Sequence, residues 1–171
     1  MRGFRLWAAF VVTILSIAAP LAVVAQEPVT LPPWRRDLPE GRQQAEITVG
    51  DTRLTVDLAI DPWEQTLGLG YRNGLEADTG MLFINESTSN QTFWMKGMRF
   101  CLDIIWIVDG QIVGAAENAC PDPAGTADVD RARYHSMQPV SHILEVPAGW
   151  MAEHGYGPGT LVDLSGLPNT P

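Results

Sequence analysis

Residues 80–113 read GMLFINESTSNQTFWMKGMRFCLDIIWIVDGQIV, and the last third of that stretch decides the fold. LDIIWIV at 102–108 is a continuous apolar run broken only by Asp103, and Asp109-Gly110 follows it before a second run at 111–116. Asp-Gly supplies the positive φ angles that a two-residue primed turn requires, so the two runs are expected as a hairpin. If Val108 faces Gln111, the ladder sets Cys101 opposite Asn118 and diagonal to Cys120 on one sheet face, and a bulge or fraying end would bring the sulfurs into range. Upstream, strands are expected at 81–84 and 92–95, separated by the polar loop 85–91. Two glycosylation sequons, at Asn85 and Asn90, support exposure of that loop.

Working outward, alternation in RLTVDLAI (53–60) reads as a half-buried strand, paired with 46–49 across a Gly50-Asp51 turn. Asp61-Pro62 is an N-cap followed by proline at the first helical position, and glycines 68, 70 and 74 end the short helix it starts. Beyond a Pro- and Asp-rich loop, the chain predicts a short strand near Tyr134, a strand at 142–146, a helix at 148–154 and a last strand at 161–164. The expected fold is mainly β (α+β): a small, largely antiparallel β-barrel-like domain of about eight strands with two short helices. Closure would remove edge strands that a secreted domain must otherwise protect. Residues 46–166 suffice for a single domain, with 167–171 as a tail.

The N-terminus carries Arg2 and Arg5, an apolar run from 6 to 24 and a small-residue end at Val23, Val24 and Ala25, which reads as a signal peptide over 1–25. The competing reading is an uncleaved anchor, since the run approaches the roughly 20 residues that span a bilayer. Residues 26–45, rich in proline and charge, read as a linker. The expected location is periplasmic or secreted, with no stable membrane insertion after cleavage. In such a compartment Cys101 and Cys120 are expected to form a disulfide. The formal net charge is −9, and from Ala45 onward the cations Arg53, Arg72, Lys96, Arg99, Arg131 and Arg133 are mostly scattered, which argues against a nucleic-acid partner.

The motifs Gly68-Leu-Gly-Tyr-Arg72, Gly80-Met-Leu-Phe83, Phe93-Trp-Met-Lys96, Leu102-Asp103 and Leu144-Glu-Val-Pro-Ala-Gly149 together resemble the bacterial family called domain of unknown function 192, over about residues 59–164. The family often has methionine at Gly70, asparagine-threonine at Gly97-Met98 and proline at Cys101, so the disulfide looks like an addition to the shared pattern. The resemblance names no activity. It implies that Arg72 and Lys96, the only lysine, are the cations nearest Asp103.

Asp103 and Glu145 both interrupt apolar strand patterns, and a charge buried without a partner would cost several kcal/mol. One reading makes them architectural, capping amides or pairing with Arg72. The other has Arg72, Trp94, Lys96, Asp103 and Glu145 converge, with Tyr71, as a site for a small polar ligand, Arg72 offering its planar fork. As an acid and base on a glycosidic bond, Asp103 and Glu145 would have to lie about 5 to 9.5 Å apart. His135 and His142 each adjoin a serine, but neighbours on a strand point to opposite faces, which speaks against a nucleophile and base pair. A copper(I) site from His135, Met137, Met95 and Met98 is conceivable from donor softness, though core packing by methionine explains the same residues. No cofactor is expected. The sequence thus points to a non-catalytic binding module for a small polar ligand or an envelope partner, with a carboxylate-pair hydrolase or a purely structural domain as alternatives.

Overall fold

The computed structural model describes residues 42–168, so the expected signal peptide and nearly all of the expected linker lie outside the described residues. Within them are β1 (Gln44–Val49), β2 (Thr52–Ala59), helix α1 (Pro62–Leu67), β3 (Thr79–Ser89), β4 (Thr92–Phe93), β5 (Leu102–Val108) and β6 (Gln111–Ala119). A 3-10 turn (Asp128–Asp130), β7 (Tyr134–His135), β8 (Val140–Pro147), helix α2 (Trp150–His154) and β9 (Val162–Asp163) complete the order. Seven strands form one sheet in the order β6-β5-β8-β3-β2-β1-β9, and β4 pairs separately with β7. The sheet is antiparallel except where β2 meets β3 in parallel, a connection that needs a crossover and finds it in α1 and the loop after it.

The sheet curls until its two edges meet. An antiparallel bridge joins Gln111 to Leu161, and Ile112 N donates to Thr160 O at 2.9 Å while Val162 N donates to Gly110 O at 2.8 Å. The fold is therefore mainly β and barrel-like, with two short helices, as the sequence predicts.

The Asp109-Gly110 turn forms, with φ of 50° and 67°, and Val108 faces Gln111. Further along, the expected register fails. Irregularities between Trp106 and Ile107 and between Leu102 and Ile104 shift the pairing to Trp106 opposite Gly114 and Leu102 opposite Ala119. Each bulge adds a residue on β6, so Cys120 rather than Asn118 comes level with Cys101, and the two cysteines are joined in a disulfide. Asn118, displaced into the bulge, takes a positive φ of 53°.

β5 is buried on both faces, which explains its unbroken apolar run. Inside the barrel, Ile105 and Ile107 pack with Leu54, Val56, Leu82 and Leu144 against Trp150 and Met151 of α2. On the outer face, Ile104 and Trp106 pack with Met81, Phe83 and Ile143 under Leu69 and Met95. That outer layer is built by two motif segments locking together. Tyr71 N donates to Gly97 O at 2.8 Å, and the Tyr71 ring lies so close to Gly97 that a Cβ there would sit 3.2 Å from it.

Candidate functional site

Asp103 lies on the inner face of β5, fully buried. Its Oδ1 accepts from the amides of Asn118 at 2.8 Å and Gly149 at 3.1 Å, and its Oδ2 accepts from Met151 N at 2.9 Å. One carboxylate thus ties the bulge of β6 and the start of α2 to β5. Gly149, in the left-handed region at φ 86°, precedes α2 with no side-chain cap, so Asp103 supplies from another strand what a local capping residue would otherwise give.

Glu145 lies on the opposite face. The pairings Gln44 with Asp57, Asp57 with Met81, Met81 with Glu145 and Glu145 with Ile104 make one row across five strands, all on the outer side. Asp103, the neighbour of Ile104, points the other way. The two carboxyl groups nominated as an acid and base pair are therefore separated by the sheet, and the expected convergence of all five site residues does not occur.

Arg72 belongs to the Glu145 row. Its Nη2 holds Asp57 Oδ2 at 2.6 Å, and Gln44 Nε2 donates to Asp57 Oδ1 at 2.8 Å. Arg42 reaches the same row from the chain entering β1, with Nη1 at 3.2 Å from Met81 Sδ and Nη2 at 3.2 Å from Gly68 O. Beside them opens a hollow of about 200 Å³ lined by Gln44, Asp57, Arg72, Glu76, Thr79 and Gly80, among others. Gly80 is required where it stands, because a Cβ would lie 2.7 Å from Glu145 O.

Glu145 itself is 5% exposed, and its Oε2 has no hydrogen-bond partner among the described residues. Burial pushes its carboxyl up from the ordinary 4.5 to about 8, against the pull of Arg42 and Arg72. At neutral pH it is mostly a neutral acid, able to donate as well as accept.

Trp94 and Lys96 sit elsewhere. Lys96 pairs with Asp128, its Nζ stands 4.9 Å from the Trp94 ring centroid, and Arg133 Cζ lies 4.3 Å from the same ring. Arg131 joins this surface cluster through Asp128 at 3.0 Å and Asp122 at 3.4 Å. Neither Trp94 nor Lys96 lines the Arg72 hollow.

The proposed copper donors are divided by burial: Met95 is 2% exposed in the outer core, while Met137 is 94% exposed. His135 Nδ1 is 3.0 Å from Thr92 Oγ1. Among the described residues no group of three or more His, Cys, Asp or Glu side chains is placed to hold a metal. The expectation about Ser141 and His142 needs correcting, since Ser141 Oγ lies 2.9 Å from His142 Nδ1 despite their adjacency. Ser141 Oγ is also 3.5 Å from Ile107 O, a contact that ties β8 to β5 and gives the hydroxyl a backbone acceptor.

Sequence reasoning missed Asp57, Gln44 and Arg42. Asp57 looked like an ordinary outward position of an alternating strand, and Arg42 fell within the expected linker. The parallel pairing of β2 with β3 is what sets Asp57 one strand from Met81 and two from Glu145, and parallel partners leave no turn signal in sequence.

No curated protein matches the chain. The solved structures that resemble it include two proteins of bacterial origin. A protein of Sinorhizobium meliloti 1021, provisionally described as a transcription regulator, is 32% identical with a TM-score of 0.66, the match covering 74% of this chain and 97% of that one. A protein of unknown function from Novosphingobium aromaticivorans DSM 12444 is 29% identical with a TM-score of 0.64, covering 85% and 99%. The model of the DUF192 family, described as an uncharacterized ACR, matches residues 45–164, almost the whole described domain, and the chain belongs to that family.

Proposed function

We propose that the protein is an extracytoplasmic, non-catalytic binding module that holds a small polar ligand, or the polar end of an envelope component, on the outer sheet face where the Asp57–Arg72 hollow opens and Glu145 lies two strands from Asp57 in the same row. The carrying observation is Glu145: a buried carboxyl with an oxygen lacking a hydrogen-bond partner among the described residues, on the sheet face where the charges of Arg42 and Arg72 pull against its burial. Such an oxygen costs about 1–3 kcal/mol, which an incoming hydrogen-bonding group would return. Arg72 offers guanidinium N–H groups beyond the one given to Asp57, and a neutral Glu145 adds a donor, so ligands carrying carboxylate or carbonyl oxygens suit the row best. A binding role agrees with the placement of Asp103, whose side chain lies on the other face of the strand pair that carries Glu145. The acidic charge favours no nucleic-acid partner.

The test uses protein recovered from the envelope fraction after expression of the full chain, screened by thermal shift and then calorimetry against amino acids, organic acids, sugars and nucleotides. An acid or carbonyl compound that stabilises the wild type and loses at least about tenfold in affinity in Arg72→Met and Glu145→Leu supports the reading. Equal responses from wild type and both variants would overturn it. Recovery of an intact chain in the cytosol, still starting at Met1, would overturn the extracytoplasmic part.

A further inference from the structure

A second opening, independent of the Arg72 hollow, lies between α1, the far half of β3 and β4. It encloses about 440 Å³, within the range of small-molecule sites, and its lining includes Phe83, Phe93 and Trp94 with the amides of Gln65, Asn85 and Gln91. Among the described residues no charged side chain lines it, although the chain as a whole carries a formal net charge of −9.

The polar groups are arranged rather than incidental. β3 leaves its register with β8 between Ile84 and Ser89, and Asn85 stands at that departure. The Asn85 Nδ2 is buried and has no hydrogen-bond partner among the described residues, although residues 86–90 after it are exposed as the sequence predicts. Gln65 Nε2 donates to Ile84 O at 2.8 Å, which fixes the amide and leaves Oε1 as an acceptor. Gln91 Nε2 donates to Ser89 Oγ at 2.8 Å with the same consequence. One unpaired donor and two spare acceptors therefore border a cavity with aromatic walls.

Those walls are fixed too. Phe93 packs edge-on against Phe83 at 4.9 Å and Trp106 at 5.7 Å, while Lys96 and Arg133 hold the Trp94 ring. Uncharged amides beside aromatic carbon match a molecule whose hydroxyls donate and accept while its C–H surfaces pack on rings. A charged ligand would find no charged side chain in the lining itself, since Lys96 and Arg133 are engaged on the Trp94 ring, and would lose its hydration.

We propose that this groove is a binding site for a neutral saccharide, with Asn85 donating to a ring or acetamido oxygen and Gln65 and Gln91 accepting from hydroxyls. Calorimetry on the envelope-purified protein would use glucose, N-acetylglucosamine, cellobiose and chitobiose, with glucuronate as the charged control. At least one neutral sugar is expected to bind with Kd below about 1 mM. Affinity should fall about tenfold or more in Asn85→Ala and in Gln91→Ala, the latter guarding against a misfolded first variant. Arg72→Met should leave sugar binding unchanged, which separates this site from the hollow proposed above. Absence of heat with all four neutral sugars, glucuronate binding as tightly as glucose, or full affinity in both variants would overturn the proposal.

Discussion

Two buried carboxyl groups stand almost side by side in the sheet and have opposite fates. Asp103, facing inward, accepts three backbone N–H groups from two other elements; Glu145, facing outward one strand away, keeps an oxygen with no partner among the described residues and a carboxyl held neutral by burial. The sequence shows the same anomaly at both places, an acid in an apolar strand. The difference teaches that satisfaction, rather than burial, separates an acid that builds the fold from one available for binding.

The sharpest way to break the comparison is to remove Asp103. Asp103→Ala removes the acceptor of three backbone amides, one in a buried bond and two in part-buried ones, at about 1.5–3 kcal/mol for each bond to a carboxylate, for a loss of roughly 5–6 kcal/mol, comparable to the total stability of a small domain. Urea denaturation should show an unfolded or barely folded protein. Asp103→Asn, which keeps one acceptor oxygen, should lose less, and near wild-type stability in both would remove Asp103 from its structural role.

Next in size is the pH dependence that Glu145 imposes. The folded protein holds this proton to about pH 8 whereas the unfolded chain releases it near 4.5. Its contribution to stability is therefore complete below about pH 4.5 and is lost as pH rises through 8, a change of up to roughly 4–5 kcal/mol. The difference between wild type and Glu145→Gln, followed by denaturation from pH 4 to 9, isolates this term from the other titrating groups; a flat difference would contradict it.

Opening the disulfide by replacing Cys101 and Cys120 with alanine should cost about 3 kcal/mol, since the bond closes a loop of 19 residues in separation. The loss belongs to the Asp103 side, where the bulged end of β6 is clamped, and the Glu145 titration should not move. The smallest effect is expected for Arg72→Met. The pair with Asp57 is partly exposed and worth about 1 kcal/mol or less, yet the variant should raise the Glu145 midpoint further by removing one of the two cations that pull it down.

Much of this architecture is legible in the chain. Asp109-Gly110 announces its hairpin, Asp61-Pro62 its helix, and alternation in 53–60 its strand, because each is a local preference. Facing directions within β5 are also legible, since Asp103 shares a side with Ile105 and Ile107. What local rules cannot supply is the register between distant strands. The two bulges that bring Cys120 level with Cys101, and the row that sets Gln44, Asp57 and Glu145 on one face, arise from long-range pairing. Trp94 and Lys96 are grouped with Arg72 through the family resemblance, and their place in and after the expected strand 92–95 does not say that the 121–133 loop will claim them.

A carboxyl-carbon NMR titration of Glu145 in the folded protein tests the central claim most directly. The account predicts a midpoint near pH 8 that rises in Arg72→Met. A midpoint near the ordinary 4.5 would mean a solvated or ion-paired carboxylate, and would contradict the claim that Glu145 is the unsatisfied acid of the outer sheet face.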